Sequence, residues 1–269
     1  MSRARLLAGR YGLRSAALGY LAVLLLAPVA LVFYRTFDHG FWPAWHAVTS
    51  SEARSAFWLT IEIALIAVPL NTVFGVSMAI AIVRHRFPGK GIVNAVVDLP
   101  LALSPVVVGL SLLLLYGRLG WFGPWFDRHG IQVVYAMPAM ALATIFVSLP
   151  FVVREVVPIL REIGTEQEQA AATLGASGFQ IFRRITLPAI RWGVAYGVVL
   201  TTARAVGEFG AVSVVSGRLA GKTETATLLV ENNYETFNYT AAYAVSLVLG
   251  LIAIATLIAM TALRPKHSD

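Results

Sequence analysis

The chain has no cysteine among its 269 residues. That excludes a disulfide, a thiolate nucleophile and a thiolate metal site. Charge is the second scarcity. Asp, Glu, Lys and Arg make up 13% of the chain, about half the share of an ordinary soluble domain. Acidic residues are fewer than basic ones, 14 against 21, for a formal net charge of +7. A phosphate-binding loop is missing, as is the paired-histidine pattern of a metalloprotease. His39, His46, His85, His129 and His267 are scattered without metal-ligand spacing. No convergent set of catalytic side chains emerges, so no catalytic residue, metal ligand or cofactor ligand is assigned. The basic stretch Met1–Ser15 leads into an apolar run with no small-x-small cleavage site after it. It reads as the lead into an uncleaved first span.

Apolar sequence is what the chain has in abundance: 58% of residues are hydrophobic and the mean hydropathy is +0.73. Runs at about 16–34, 57–83, 92–117, 133–153, 193–215 and 240–263 each reach spanning length. They are too long and unbroken for barrel strands. Helices satisfy their backbone polar groups internally, as hydrocarbon demands. The expectation is an all-α polytopic membrane protein of six transmembrane helices, one domain over residues 1–269, with no soluble domain attached.

Charge orients it. With the N-terminus inside, 14 Lys and Arg fall on inner segments, Arg264 and Lys266 among them, and 6 fall on outer ones. Both termini and the long 154–192 loop are therefore expected in the cytoplasm. The basic residues gather at helix ends, which argues against a nucleic-acid partner. All six tryptophans lie near predicted span ends, as in an interfacial belt.

Within the loop, residues 165–188 read as helix, glycine turn, helix. Thr165 and Glu168 have capping-box spacing, and Glu166 and Glu168 suit a helix start. Ala170, Ala171 and Ala172 favour helix, and Gly175 can end it at positive φ. A second helix is expected over about Ser177–Thr186, with Phe179, Phe182 and Ile185 in one stripe. Pro188 suits the start of the next helix. Inside the bilayer, Arg204 and Glu208 are four residues apart on the fifth span and so share a face. They form either a structural pair or part of a pathway. Pro100 and Pro105 predict an interrupted third span, with Asp98 capping the freed amides. Pro69 and Asn71 are expected to open a kink in the second span where a neighbouring helix packs.

The 165–188 text resembles the signature of membrane subunits of binding-protein-dependent ABC importers: Glu-Ala-Ala, three residues, Gly, nine residues, Ile-x-Leu-Pro. Ala170, Ala171, Gly175, Ile185, Leu187 and Pro188 fall in register. Gln169 stands where the family has glutamate, and Glu168 is one residue early. The stretch Asp98–Gly117 is similar to the third-helix region of sulfate and molybdate permeases generally, Leu187–Leu200 and Ala203–Glu231 are similar to sulfate permeases, and GEFGAVSVVSG, residues 207–217, to the CysW type. The resemblance implies the type I importer permease (MetI-like) fold and a non-catalytic subunit in a prokaryotic inner membrane. It implies sulfate, with thiosulfate second, as cargo. The implied partners are a CysT-type permease, two copies of a CysA-type ATPase carrying Mg-ATP, and an extracytoplasmic sulfate-binding protein. Glu168, Gln169, Ala170, Ala171, Gly175, Ile185, Leu187 and Pro188 become the ATPase-coupling residues. One alternative keeps the fold and carries molybdate, tungstate or another oxyanion. Another is a stand-alone channel or secondary carrier, which leaves 165–188 without a task.

Overall fold

The computed structural model of the protein describes residues 3–263, with side chains from 14 to 261. Arg264, Lys266 and His267 lie outside the described residues, as do the side chains of Arg3, Arg5 and Arg10. The described chain is helical: α1 (Arg3–Phe37), α2 (Phe41–Thr49), α3 (Ser51–Arg84), α4 (Lys90–Ala102), α5 (Pro105–Tyr116), α6 (Gly123–Arg128), α7 (Met137–Ser148), α8 (Pro150–Glu162), α9 (Glu166–Thr173), α10 (Gly178–Ile181), a π turn (Phe182–Thr186), α11 (Leu187–Val206), α12 (Gly210–Val215), α13 (Ala226–Glu235) and α14 (Tyr239–Leu263). Five stretches are long and apolar enough to cross a membrane, namely 14–37, 51–84, 137–162, 178–206 and 239–261. A sixth, α4 with α5, passes only as a pair bent by 110°.

The described chain divides into two compact units, one of residues up to 50 with 230–248, the other of 51–229 with the residues from 249 on. In the first unit, aromatic rings join the end of α1 to α2. Phe37 stacks on Phe41 with ring centroids 6.2 Å apart, and Phe41 on Trp45 at 6.0 Å.

In the second unit α8 packs along both α3 and α11. Asn71 Nδ2 donates to Ile145 O at 3.0 Å and Ser148 Oγ at 2.8 Å. Further along, Gly75 meets Val152 and Arg84 meets Leu160 O. α3 and α7–α8 therefore run parallel. Two parallel neighbours require one crossing between them, so α4–α5 is a broken span and not a re-entrant loop. Packing agrees: Val97 of α4 clusters with Ile82 and Val153 near one end of α3, while Val108 of α5 clusters with Leu59 and Ile63 near the other. The break falls at Leu103 and Ser104, and Pro105 opens α5, where its missing N–H has no helical partner to lose.

Pro150 breaks α7 from α8. Leu149 N turns to Phe146 O, and Ile145 O takes Asn71 Nδ2 instead. The polar residue in α3 thus satisfies a carbonyl that the break frees.

Two predicted spans shift. The fourth continues to Glu162, so part of the expected loop is helix. The fifth begins at Gly178 and stops at Val206, where 193–215 was expected. Residues 210–215 form the separate α12, which lies against α5 and α7. Small residues permit that approach: a Cβ on Gly109 would stand 2.7 Å from Ala211 O, and one on Gly210 3.0 Å from Pro105 Cβ.

Candidate coupling element and intramembrane ion pair

Between α8 and α11 the chain folds into a short helix, a glycine turn and the start of a long helix. Thr165 precedes α9 but caps no amide. Its Oγ1 accepts from Gln169 Nε2 at 3.0 Å. The expected Thr165–Glu168 capping box is therefore absent, because Glu168 is drawn the other way. A complete box stands instead at Ser177 and Gln180. Gln180 Oε1 accepts from Ser177 N at 2.8 Å and Ser177 Oγ from Gln180 N at 3.4 Å. The Ser-x-x-Gln spacing carries that signal in the sequence.

Gly175 ends α9 at φ +84°. Ala176 N donates to Ala171 O and Gly175 N to Ala172 O, the paired bonds of a Schellman turn. Beyond it the helix runs unbroken from Gly178 to Val206. Pro188 does not interrupt it. The preceding π turn absorbs the proline, with Leu187 N bonded to Phe182 O five residues back. The widened turn accommodates a residue that cannot bond to Arg184 O.

The apolar stripe expected over Phe179, Phe182 and Ile185 divides. Phe182 packs on the cluster of Val76, Val152, Val156 and Ile190, and Ile185 is half-buried. Phe179 is 70% exposed, and Leu174 at the turn is 88% exposed.

Glu168 points inward to Arg84, the last residue of α3. Its Oε2 lies 2.9 Å from Arg84 Nε. Its Oε1 accepts from Arg84 Nη2 at 3.2 Å and from Thr186 Oγ1 in the π turn at 2.8 Å. The residue one place before the signature's glutamate position thus makes the ion pair, while Gln169 is exposed. Nothing in the sequence marked Arg84 or Thr186 as partners.

Arg204 and Glu208 do meet, but not on one helix face. The helix stops at Val206, and Glu208 sits in the break before α12. Its Oε2 lies 2.7 Å from Arg204 Nη1, with the carboxylate 2% exposed and the guanidinium 29%. Its Oε1 caps α12 by accepting from Ala211 N at 2.8 Å. Its carbonyl accepts from Thr227 Oγ1 at 2.8 Å. One residue therefore holds a cation and starts a helix with its carboxylate, and ties the break to Thr227 with its carbonyl.

Asp98 does not cap the amides freed at the α4–α5 break, contrary to the expectation from the sequence. Instead its two oxygens take Arg154 of α8, at 2.7 Å to Nε and 2.5 Å to Nη2. The amide of Leu103 at the break bonds to Leu99 O without it. Among the described residues no group of three or more His, Asp or Glu side chains gathers to hold a metal.

Residues 71–268 match the family described as "Binding-protein-dependent transport system inner membrane component". The chain belongs to that family. Within it, the chain is 52% identical over 249 residues to the sulfate transport system permease protein CysW of Synechocystis sp., covering 93% of this chain and 90% of the relative. Identity to the sulfate transport system permease protein CysT of Escherichia coli K12 is 35% over 247 residues, covering 92% and 89%. The family member is thus of CysW type. A chain of a bacterial ABC transporter that imports alginate superposes with a TM-score of 0.78 at 17% identity, over 96% of both chains. The MetNI methionine transporter gives 0.55 at 19% identity, over 78% of this chain and 95% of that one. At those identities the likeness speaks to the fold alone, which is the MetI-like permease fold. The chain is a multi-pass membrane protein and a non-catalytic permease subunit.

Proposed function

We propose that this chain carries sulfate across the membrane as one permease subunit of an ATP-driven importer. The observation that carries the reading is the 52% identity to a CysW protein along nearly the whole chain, against 35% to a CysT protein. A CysT-type permease, two CysA-type ATPases binding Mg-ATP, and a sulfate-binding protein are the implied partners. Thiosulfate is the second cargo.

Residues 165–188 seat in the ATPase, with both chain termini on the same, cytoplasmic side. Three features support this placement: the charge bias of the loops, the signature text, and the exposed Leu174 and Phe179 at the tip. Apolar side chains of that size held outside the bulk of the chain suit a partner's groove. Closure of two ATPases on ATP then displaces this element, and packed helices carry the displacement inward as a shift between two states. Arg204 supplies positive charge beside the route of a dianion. Glu208 offsets it, so that the anion is passed on and not held.

The test is uptake of labelled sulfate by proteoliposomes holding both permeases and the ATPase, with the binding protein outside. ATP-dependent uptake that sulfate and thiosulfate dilute supports the reading. Uptake of molybdate with none of sulfate moves the cargo to another oxyanion. Transport by this chain without the ATPase makes it a stand-alone carrier.

A further inference from the structure

Arg84 connects more segments than any role in closing α3 requires. Its Nη1 donates to Leu160 O at 2.9 Å, in the last turn of α8, and its Nη2 to Gly164 O at 2.7 Å in the loop that follows. Its Nη2 also donates to Glu168 Oε1, and its Nε lies 2.9 Å from Oε2 as an ion-pair contact. Through Glu168 the node reaches Thr186 in the π turn. The Arg84 side chain is 10% exposed and that of Glu168 19%, while Thr186 is 4% exposed. Carbonyls at a helix end lack helical partners and carry partial negative charge. A guanidinium, with a fixed fork of donors, serves two carbonyls and a carboxylate together; an ammonium does not.

The surroundings make the node decisive. Neither α9 nor α10 has a buried residue. Apolar packing therefore does little to hold α9 in place. Three routes lead from α9 into the membrane-spanning helices. Two are covalent, back through residues 163–165 into α8 and forward through α10 and the π turn into α11. The third crosses from Glu168 to Arg84 and enters α3 directly.

We propose that Arg84 is a positioning residue that fixes α9 to the end of α3, so that a displacement of α9 by its ATPase partner moves α3 with α11. This rests on the coupling role assigned above to residues 165–188. Without Arg84, α9 docks as before but moves without a direct link to α3. Hydrolysis then continues while transport fails.

The experiment uses the complete complex in proteoliposomes and reads sulfate taken up per ATP hydrolysed. Arg84→Gln is expected to retain the ATPase subunit and to lower that ratio by about tenfold, within the usual range of coupling between sites. Arg84→Lys is expected to fall between, because it keeps the charge and loses the fork. Exchange of the two charges, Arg84→Glu with Glu168→Arg, is expected to recover part of the ratio. A chain without cysteine also permits a direct restoration. Arg84→Cys with Glu168→Cys is bridged by a cleavable bifunctional thiol reagent; the ratio should rise on bridging and fall on cleavage. An unchanged ratio in Arg84→Gln overturns the proposal. So does loss of the ATPase subunit from that variant, which would make Arg84 a docking residue, and so does a bridged pair that stays uncoupled. Failure of the importer reading shows separately, in a complex with native Arg84 that takes up no sulfate, or in Leu174→Cys that cross-links to no ATPase.

Discussion

Glu208 reaches back across a helix break to place its Oε2 2.7 Å from Arg204 Nη1, while its other oxygen caps the next helix. The two roles separate by substitution. Glu208→Gln keeps an acceptor for Ala211 N and loses the charge; Glu208→Ala loses both. Thermal unfolding in detergent should rank Glu208→Ala below Glu208→Gln. Arg204→Ala leaves a carboxylate that is 2% exposed without its cation. Stripping one partner from a buried pair costs up to about 3–5 kcal/mol, and the partial exposure of Arg204 places this pair toward the lower figure. In a double-mutant cycle the Arg204 and Glu208 effects should miss additivity by about 0.5–3 kcal/mol. Simple additivity in an assembled complex would remove the pairing.

Gly175 separates conformation from contact. Its φ is +84°, and a Cβ there would meet nothing within 4 Å inside the chain. Gly175→Asn should unfold close to the native temperature, since asparagine tolerates the left-handed region. Gly175→Val should lower it. Gly175→Trp should insert into membranes normally and share the left-handed strain of Gly175→Val, yet bind the ATPase more poorly than Gly175→Val, because a Cβ there meets nothing within 4 Å inside the chain. Full ATPase binding and uptake in Gly175→Trp would sink the docking role.

The Asp98–Arg154 pair is a surface pair, with side chains 37% and 59% exposed. Asp98→Ala should change stability by no more than about 1 kcal/mol. A cap at the α4–α5 break would cost about as much again when lost. Calorimetry of Asp98→Ala beside Arg154→Ala tells the two apart: equal small losses indicate the pair, and a larger loss at Asp98 alone indicates a cap.

Val152 is enclosed by two glycines. A Cβ on Gly75 would lie 2.6 Å from Val152 Cβ, and one on Gly197 2.9 Å from Val152 Cα. Three helices approach closely there, and no side chain can be added without moving backbone. Gly75→Val and Gly197→Val should each destabilise by about 1–3 kcal/mol or more through overpacking. Gly91→Ala in α4, where a Cβ meets nothing within 4 Å, should be neutral or slightly stabilising. Equal melting temperatures for the three variants would contradict the packing.

Spans and breaks were legible because hydropathy and proline act locally. Pro100 and Pro105 announced the interruption of the third span, and Gly175 announced the turn. Side-chain partners were not legible. Glu168 had suitable spacing to cap its own helix, but Arg84, 84 positions away in sequence, outcompetes a local amide with a charged fork. Asp98 likewise prefers Arg154, 56 positions away. Charge pairing between helices depends on which helices run parallel, and periodicity does not encode that. The helix end at Val206 was missed for a related reason. Residues 207–215 are apolar enough to extend the span, and only the carboxylate that starts α12 marks the boundary.

Under the coupling role proposed for residues 165–188, the unbroken helix from Gly178 to Val206 acts as a drive shaft. Its 29 residues extend about 43 Å at 1.5 Å per residue. One end is clasped by the Ser177–Gln180 box and the other stops beside Arg204 and Glu208. The phase between those ends is set by residue count. Deleting one residue within α11 ahead of Arg204 would turn the end that carries Arg204 and Glu208 by about 100° relative to the Ser177 end, from 3.6 residues per turn. Deleting a block of seven leaves the phase within about 20° and only shortens the shaft. In a helix that merely spans, the single deletion is the smaller injury. In a shaft that keeps time between its ends, the single deletion also destroys their alignment.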